Sequence, residues 1–102
     1  MKMYIAIKEW VPTGHALNTA AHCGLVGWLA FSWLDSTQEW LDTSFKKVTC
    51  MVSDEEFEEL KQVPHSKVLT ESRLDNEEVA IVFAPRKKED WPEIMKTLRL
   101  WQ

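Results

Sequence analysis

Cysteine is scarce in this chain: Cys23 and Cys50 are the two among 102 residues, and neither belongs to a C-x-x-C or C-x-x-H spacing. The spacing argues against a zinc site, and the plain reading is two unpaired thiols in a reducing cytosol, with a disulfide between them left open. Basic charge is also short. Lys and Arg number 12 against 16 Asp and Glu, a net charge of -4. No global field attracts a polyanion, so charge alone disfavours nucleic acid as a partner. What basic residues there are cluster locally, at Lys46 and Lys47 and in the run Arg86, Lys87, Lys88. Repeats and low-complexity linkers are absent. The start, MKMYIAIKEW, has a short apolar run that soon meets Lys8 and no cleavage-site pattern, which reads against a signal peptide. The longest weakly polar segment, Ala16 to Leu34, is broken by Asn18, Thr19, His22 and Gly or Ser positions. It reads as a buried helix and not as a membrane span.

What the chain does have is apolar and aromatic bulk. Hydrophobic residues make up 45% and tryptophans number six, enough for one core, so residues 1-102 are expected to form a single domain. The stretch that organises the rest runs from Gly14 to Trp33, GHALNTAAHCGLVGWLAFSW. At 100° per residue, His15, Asn18, Thr19, His22 and Val26 share one narrow face while leucines, alanines and Trp28 fill the remainder. A helix apolar over most of its circumference is expected to be buried. Its polar stripe must then meet polar groups or line a wet cleft, because an unpartnered buried imidazole, amide or hydroxyl costs about 1 to 3 kcal/mol.

Local signals order the remaining elements. Met3 to Ile7 reads as a central strand that delivers the chain, through Pro12 and an N-capping Thr13, to His15. Gly24 and Gly27 inside the helix predict close approach of another backbone. Asp35 to Asp42 reads as a short helix and Lys47 to Val52 as a strand. Ser53 and Glu56 form an S-x-x-E capping box before Phe57, Leu60 and Val63, and the glutamates of that helix read as its solvated face. Ser66 to Thr70 and Val79 to Phe83 read as strands joined by a turn, and Asp90 to Leu100 as a last helix with Pro92 in its first turn. The expected class is α/β: a three-layer α/β/α domain with a mixed four-stranded sheet, order β-α-α-β-α-β-β-α. Ligands of such sheets bind beyond the strands' carboxyl ends, which points to the loop from Lys8 to His15.

Gly14, Ala21, His22 and Leu25, set in GHALNTAAHCGL directly after a strand, resemble the G-K-x-x-A-Q-x-A-H-A-x-L helix of the second class of peptidyl-tRNA hydrolase. The order of elements is similar over nearly the whole chain. The resemblance implies a cytosolic α/β/α domain, often a homodimer, that cleaves the ester between a peptide and the terminal ribose of tRNA. It makes tRNA a partner by likeness, against the net charge. The family's site lysine corresponds to His15 and its glutamine to Thr19, while His22 is unchanged. The family's D-A-G-x-T loop corresponds to Thr70, Glu71, Ser72, Arg73 and Leu74, with Glu71 nearest to the aspartate.

The residues themselves suggest hydrolytic chemistry. A histidine at a helix start is a candidate base, since a ring kept neutral there can accept a proton near pH 7. Glu71 would orient His15, and Ser72, Thr19 or a water would be activated, with His22 in support. Asn18, Arg86 and Lys87 are candidate ligand-binding residues, the last two for phosphates. His15 and His22 lie ~10 Å apart along the axis, too far to ligate one metal, and no cofactor is expected. Two readings follow: a hydrolase acting on peptidyl-tRNA or a smaller ester, and a catalytically silent dimeric binding module of the same fold.

Overall fold

The run KMYIAIK is apolar on both of its faces, so it can be satisfied only in the middle of a sheet. In the computed structural model, which describes all residues from Met1 to Gln102, this run is β1 (Lys2–Lys8). It is followed by α1 (Thr13–Phe31), α2 (Asp35–Asp42), β2 (Lys46–Val52), α3 (Asp54–Leu60), β3 (Ser66–Glu71), β4 (Glu77–Phe83) and β5 (Arg99–Leu100). Short 3-10 turns occupy Ser72–Leu74, Lys88–Asp90 and Glu93–Thr97. The five strands make one mixed sheet in the order β3-β4-β1-β2-β5. β1 and β2 are parallel, from Lys2 opposite Lys46 to Lys8 opposite Val52, because α1 and α2 carry the chain back to the same starting edge. The pairs β1–β4, β3–β4 and β2–β5 are antiparallel.

Two apolar clusters lie on the sheet. Met3, Ile5, Ile7, Ala80 and Val82 pack with Ala16 and Cys23 of α1 and with Trp40 of α2. Ala6, Ile81 and Phe83 pack with Phe57 and Leu60 of α3 and with Trp91 and Met95 of the C-terminal turns. Each large side chain buried in this way contributes about 1.5–3 kcal/mol against chain entropy. At Gly27 side chains of the sheet come close to α1: a Cβ there would lie 2.7 Å from Cε of Met3 and 3.0 Å from Cγ2 of Val82. Gly24 has room for one, with Lys47 Cε the nearest atom at 3.7 Å. At the start of α3 the reciprocal capping box is formed, Ser53 Oγ accepting from the Glu56 N–H at 3.1 Å and Glu56 Oε1 accepting from the Ser53 N–H at 2.8 Å.

The C-terminus corrects the expected four-stranded sheet and its final helix. Pro92 and Leu98 are both extended, with ψ of 154° and 140°, and the five residues between them make a single 3-10 turn. One turn between two extended residues is too short to propagate as an α-helix. Arg99 and Leu100 instead pair with Met51 and Cys50, and the Trp101 N–H donates to Thr49 O at 2.9 Å, so the chain ends on the edge of β2. The observed order is β-α-α-β-α-β-β-β.

Two expectations about α1 also change. Its N-cap is Pro12, with no side-chain cap bond, and Thr13 is already the first helical residue. The helix is also not enclosed. Ala16, Thr19, Cys23, Gly27 and Phe31 face the sheet, but Leu17, Leu25 and Leu29 are exposed. A single sheet covers one side of a helix, and no second layer lies over α1. No helix is long and apolar enough to cross a membrane.

Candidate functional site

β3 runs in the same direction as β1, because each is antiparallel to β4, which lies between them. The carboxyl end of β3 therefore arrives at the end of the sheet where β1 hands over to α1. Leu69 packs into the cluster on the α1 side, and Glu71, two residues on, faces the same way by strand periodicity. Just before it the ladder shifts: Leu69 opposes Ala80 while Thr70 opposes Glu78, leaving Val79 as an extra residue in β4. Such bulges bend a strand and re-aim the side chains beside them. The chain then turns through Ser72–Leu74 and reverses at Asp75 and Asn76, whose φ values of 57° and 58° are left-handed. Asx residues tolerate that region better than most, which is why the turn falls there.

The result is an open cavity of about 340 Å³ lined by His15, Asn18 and His22 from α1 and by Glu71 and Arg73 from the end of β3 and its turn. Every lining residue is polar. Glu71 Oε1 accepts from the backbone N–H of Arg73 at 3.1 Å, so the carboxylate braces the turn that presents the guanidinium. No hydrogen bond or ion pair links Glu71 to His15, although both line the cavity. The first turn of α1 carries no acidic side chain and no side-chain cap, so the positive end of the helix is uncompensated beside His15. Arg73 and the start of α1 are the positive features of the cavity, and Glu71 is the one carboxylate set beside them. No group of three His, Cys, Asp or Glu side chains stands close enough to hold a metal ion.

Of the residues expected at the site, His15, Asn18, His22 and Glu71 come together. Thr19 does not: it is buried against the sheet, on the inner side of α1. Ser72 lies exposed on the turn, outside the cavity lining. Arg86 and Lys87 sit at the opposite end of the sheet. They follow β4, which is antiparallel to β1, and the backbone of Arg86 bridges Lys2 at the start of β1. The Arg86 guanidinium is already engaged there, donating to Pro64 O and lying 4.8 Å from the Trp91 ring centroid. Burial also draws its pKa below the usual arginine value, with Asp90 opposing. Trp91 is thus a packing residue, its ring edge-on to Tyr4 at 4.7 Å and to Phe83 at 6.1 Å.

Nothing in the local sequence marks Arg73 as a ligand residue. The available signal was its position two residues after Glu71 at the end of a strand running toward His15, which becomes visible once strand order is known. A neighbouring cavity of about 440 Å³ is lined by Lys8, Trp10, Asp54, Leu74, Asp75 and Glu77. There Asp54 Oδ1 accepts from Trp10 Nε1 at 3.2 Å and pairs with Lys8 Nζ at 3.3 Å, so the lysine that ends β1 is neutralised. Both cysteines are buried and free. Burial pushes the Cys23 thiol up to about 12 and the Cys50 thiol up to about 11, which leaves neither as a nucleophile at neutral pH.

No protein-family model matches the chain, and no curated protein sequence matches it. The class that the fold and cavity define is a mixed α/β domain with an open, wholly polar site at the carboxyl end of its central strand.

Proposed function

We propose that the chain is a divergent, cytosolic relative of the second class of peptidyl-tRNA hydrolase, a three-layer α/β/α domain that hydrolyses a carboxylic ester on a substrate bearing a negative charge. The reading rests on one observation: His15, Asn18 and His22 of α1 meet Glu71 and Arg73, from a distant strand end, around a single open cavity. In this reading Arg73 and the start of α1 hold the anionic part of the substrate. An imidazole, His15 or His22, takes a proton from water as the oxygen attacks the ester carbonyl. Asn18 donates to the developing oxyanion, the acyl C–O bond breaks, and the imidazolium returns the proton to the leaving alcohol. Glu71 holds the Arg73 turn, which makes it a positioning residue.

The silent-module reading is favoured by one feature, the engagement of Glu71 with the Arg73 backbone and not with an imidazole. Hydrolysis of peptidyl-tRNA and of a panel of small anionic and neutral esters separates the two. Turnover that falls at least 100-fold in His15→Ala or His22→Ala, with folding intact, supports the hydrolase; a loss of that size is ~3 kcal/mol of transition-state stabilisation. Turnover equal in wild type and both variants rejects it in favour of the binding module.

A further inference from the structure

α1 carries a second flank of opposite chemistry to its polar stripe. At intervals of three and four, Ala21, Gly24, Leu25 and Trp28 fall on the side of the helix nearer to β2, away from the His15 cavity and its wall at β3. Over Thr13–Phe31 the helix has no Asp, Glu, Lys or Arg, so this flank brings no charge. Across from it, α2 and the approach to β2 supply Trp40, Leu41 and Phe45. Between them opens a cavity of about 470 Å³, the size of a small-molecule site.

Two local features shape the space. Gly24 has no side chain to fill it, and a Cβ there would find Lys47 Cε as its nearest neighbour at 3.7 Å. Phe45 is turned onto the rim by a left-handed backbone, φ 52°, and its N–H donates to Trp40 O at 2.8 Å. The Phe45 ring lies 4.9 Å from that of Trp40, tilted by 39°. It stays half-exposed, while Trp40 is buried.

One charge stands in this apolar setting. Lys47 Nζ lies 3.3 Å from the Phe45 ring centroid and 5.2 Å from that of Trp40, and it donates to Phe45 O at 3.3 Å. It belongs to none of the ion pairs of the structure, and no carboxylate lines the cavity. An ammonium has three donors, so two are left to a ligand. Burial draws the lysine's pKa below its ordinary value, and no acid opposes that shift.

An unpaired cation on the wall of a ring-lined apolar cavity is complementary to a flat apolar body carrying one carboxylate. Because Nζ rests against the rings and not beyond them, the carboxylate must sit within a bond or two of that body. A rigid ring occupies the space at a smaller entropic cost than a flexible chain, and it gains ring contacts with Trp28 and Phe45. We propose that the cavity between α1, α2 and the start of β2 binds a small aromatic carboxylic acid, its ring among Leu25, Trp28 and Phe45 and its carboxylate accepting from Lys47 Nζ. The site lies on the other flank of α1 from the His15 cavity and requires no activity there.

Isothermal titration with naphthalene-2-acetate and with its uncharged primary amide tests the site. Wild type is expected to bind the acid about tenfold more tightly than the amide, the worth of one charge-assisted hydrogen bond at a partly exposed lysine. Lys47→Met keeps the apolar stem and removes the charge, so it is expected to bind the two probes equally. Ala21→Phe puts a ring into the cavity and is expected to lose both. Each position is exposed, so circular dichroism and thermal melting of the two variants should match wild type. Wild-type protein that binds neither probe at millimolar concentration overturns the proposal, as does one that binds both equally. A preference for the acid that survives Lys47→Met, or affinity indifferent to Ala21→Phe, overturns it too. So does binding lost in Arg73→Ala and kept in Lys47→Met, which would seat the acid in the His15 cavity.

Discussion

The two ends of the sheet both carry an arginine in a loop, and they use it in opposite ways. At the end where β1 and β3 finish, Arg73 sits on an exposed turn and lines a polar cavity with two imidazoles. At the other end, Arg86 is half-buried, donates to Pro64 O and stacks on Trp91. Arg86 is tied into the fold by one carbonyl and one ring even though it also lines a cavity of about 330 Å³ at its own end, while Arg73 makes no side-chain hydrogen bond and is left to a ligand. Residue type does not decide which it is; the direction of the strand leading to it does.

The largest effect expected is on stability at the structural end. Trp91→Ala removes a ring packed on Tyr4, Phe83 and Arg86 and is expected to cost about 3–5 kcal/mol in urea unfolding. Any ester hydrolysis, expressed per folded molecule, should be unchanged. If Trp91→Ala abolished turnover in a folded population, the division between the two ends would fail.

The interior between the ends responds to alkali. The folded-state thiols of Cys23 and Cys50 titrate at about 12 and about 11, raised by burial above the ordinary 9.0. The folded protein keeps these protons where the unfolded chain has lost them, so their stabilisation is complete below about pH 9 and is lost as pH rises toward 11 and 12. The expected decline is about 1.4 kcal/mol per pH unit for each thiol across that window. Relative to wild type, Cys23→Ala should show a shallower alkaline decline in denaturant midpoint; an unchanged slope would contradict the burial-driven shift.

Arg86→Ala and Arg73→Ala sharpen the comparison directly. The first should cost about 1–3 kcal/mol, through the lost stack on Trp91 and the unpaired Pro64 carbonyl, with no change in binding of a phosphate-bearing ester at the opposite end. The second should alter stability by less than ~0.5 kcal/mol and weaken that binding about tenfold. Isothermal titration and denaturant melts on the pair read both quantities, and the reverse pattern would exchange the roles of the two ends.

The smallest effect concerns a residue with no role at either end. Thr37 is fully buried and its hydroxyl has no hydrogen-bond partner. Thr37→Val keeps the shape and removes the orphan oxygen, so a gain of about 1 kcal/mol is expected in urea unfolding, and a loss would reveal a partner for that hydroxyl.

Much of the layout was legible in local pattern. Met3 to Ile7 reads as a central strand because it is apolar at every position, and the structure puts it third of five. Ser53 and Glu56 announce a capped helix three residues apart, and both cap bonds form. Asp90 to Leu100 misled for an identifiable reason. A cap, a proline and spaced apolar residues imitate a helix start, but the segment's hydrogen bonds went to the free edge of β2, which no local pattern records. The same holds for α1. Its apolar circumference suggested burial on all sides, whereas the sheet covers one face and leaves Leu17, Leu25 and Leu29 in the open.

The sequence by itself determined which segments are strands and helices over most of the chain, and it singled out the polar stripe of α1, because hydrophobic periodicity, capping pairs and turn residues act within a few positions of one another. Only the tertiary structure decided which loops share an end of the sheet. That depended on β4 entering antiparallel between β1 and β3, which carried Glu71 and Arg73 to His15 and Arg86 and Lys87 away from it. Strand order is set by the packing of whole faces over long separations in the chain, and no single stretch of residues contains it.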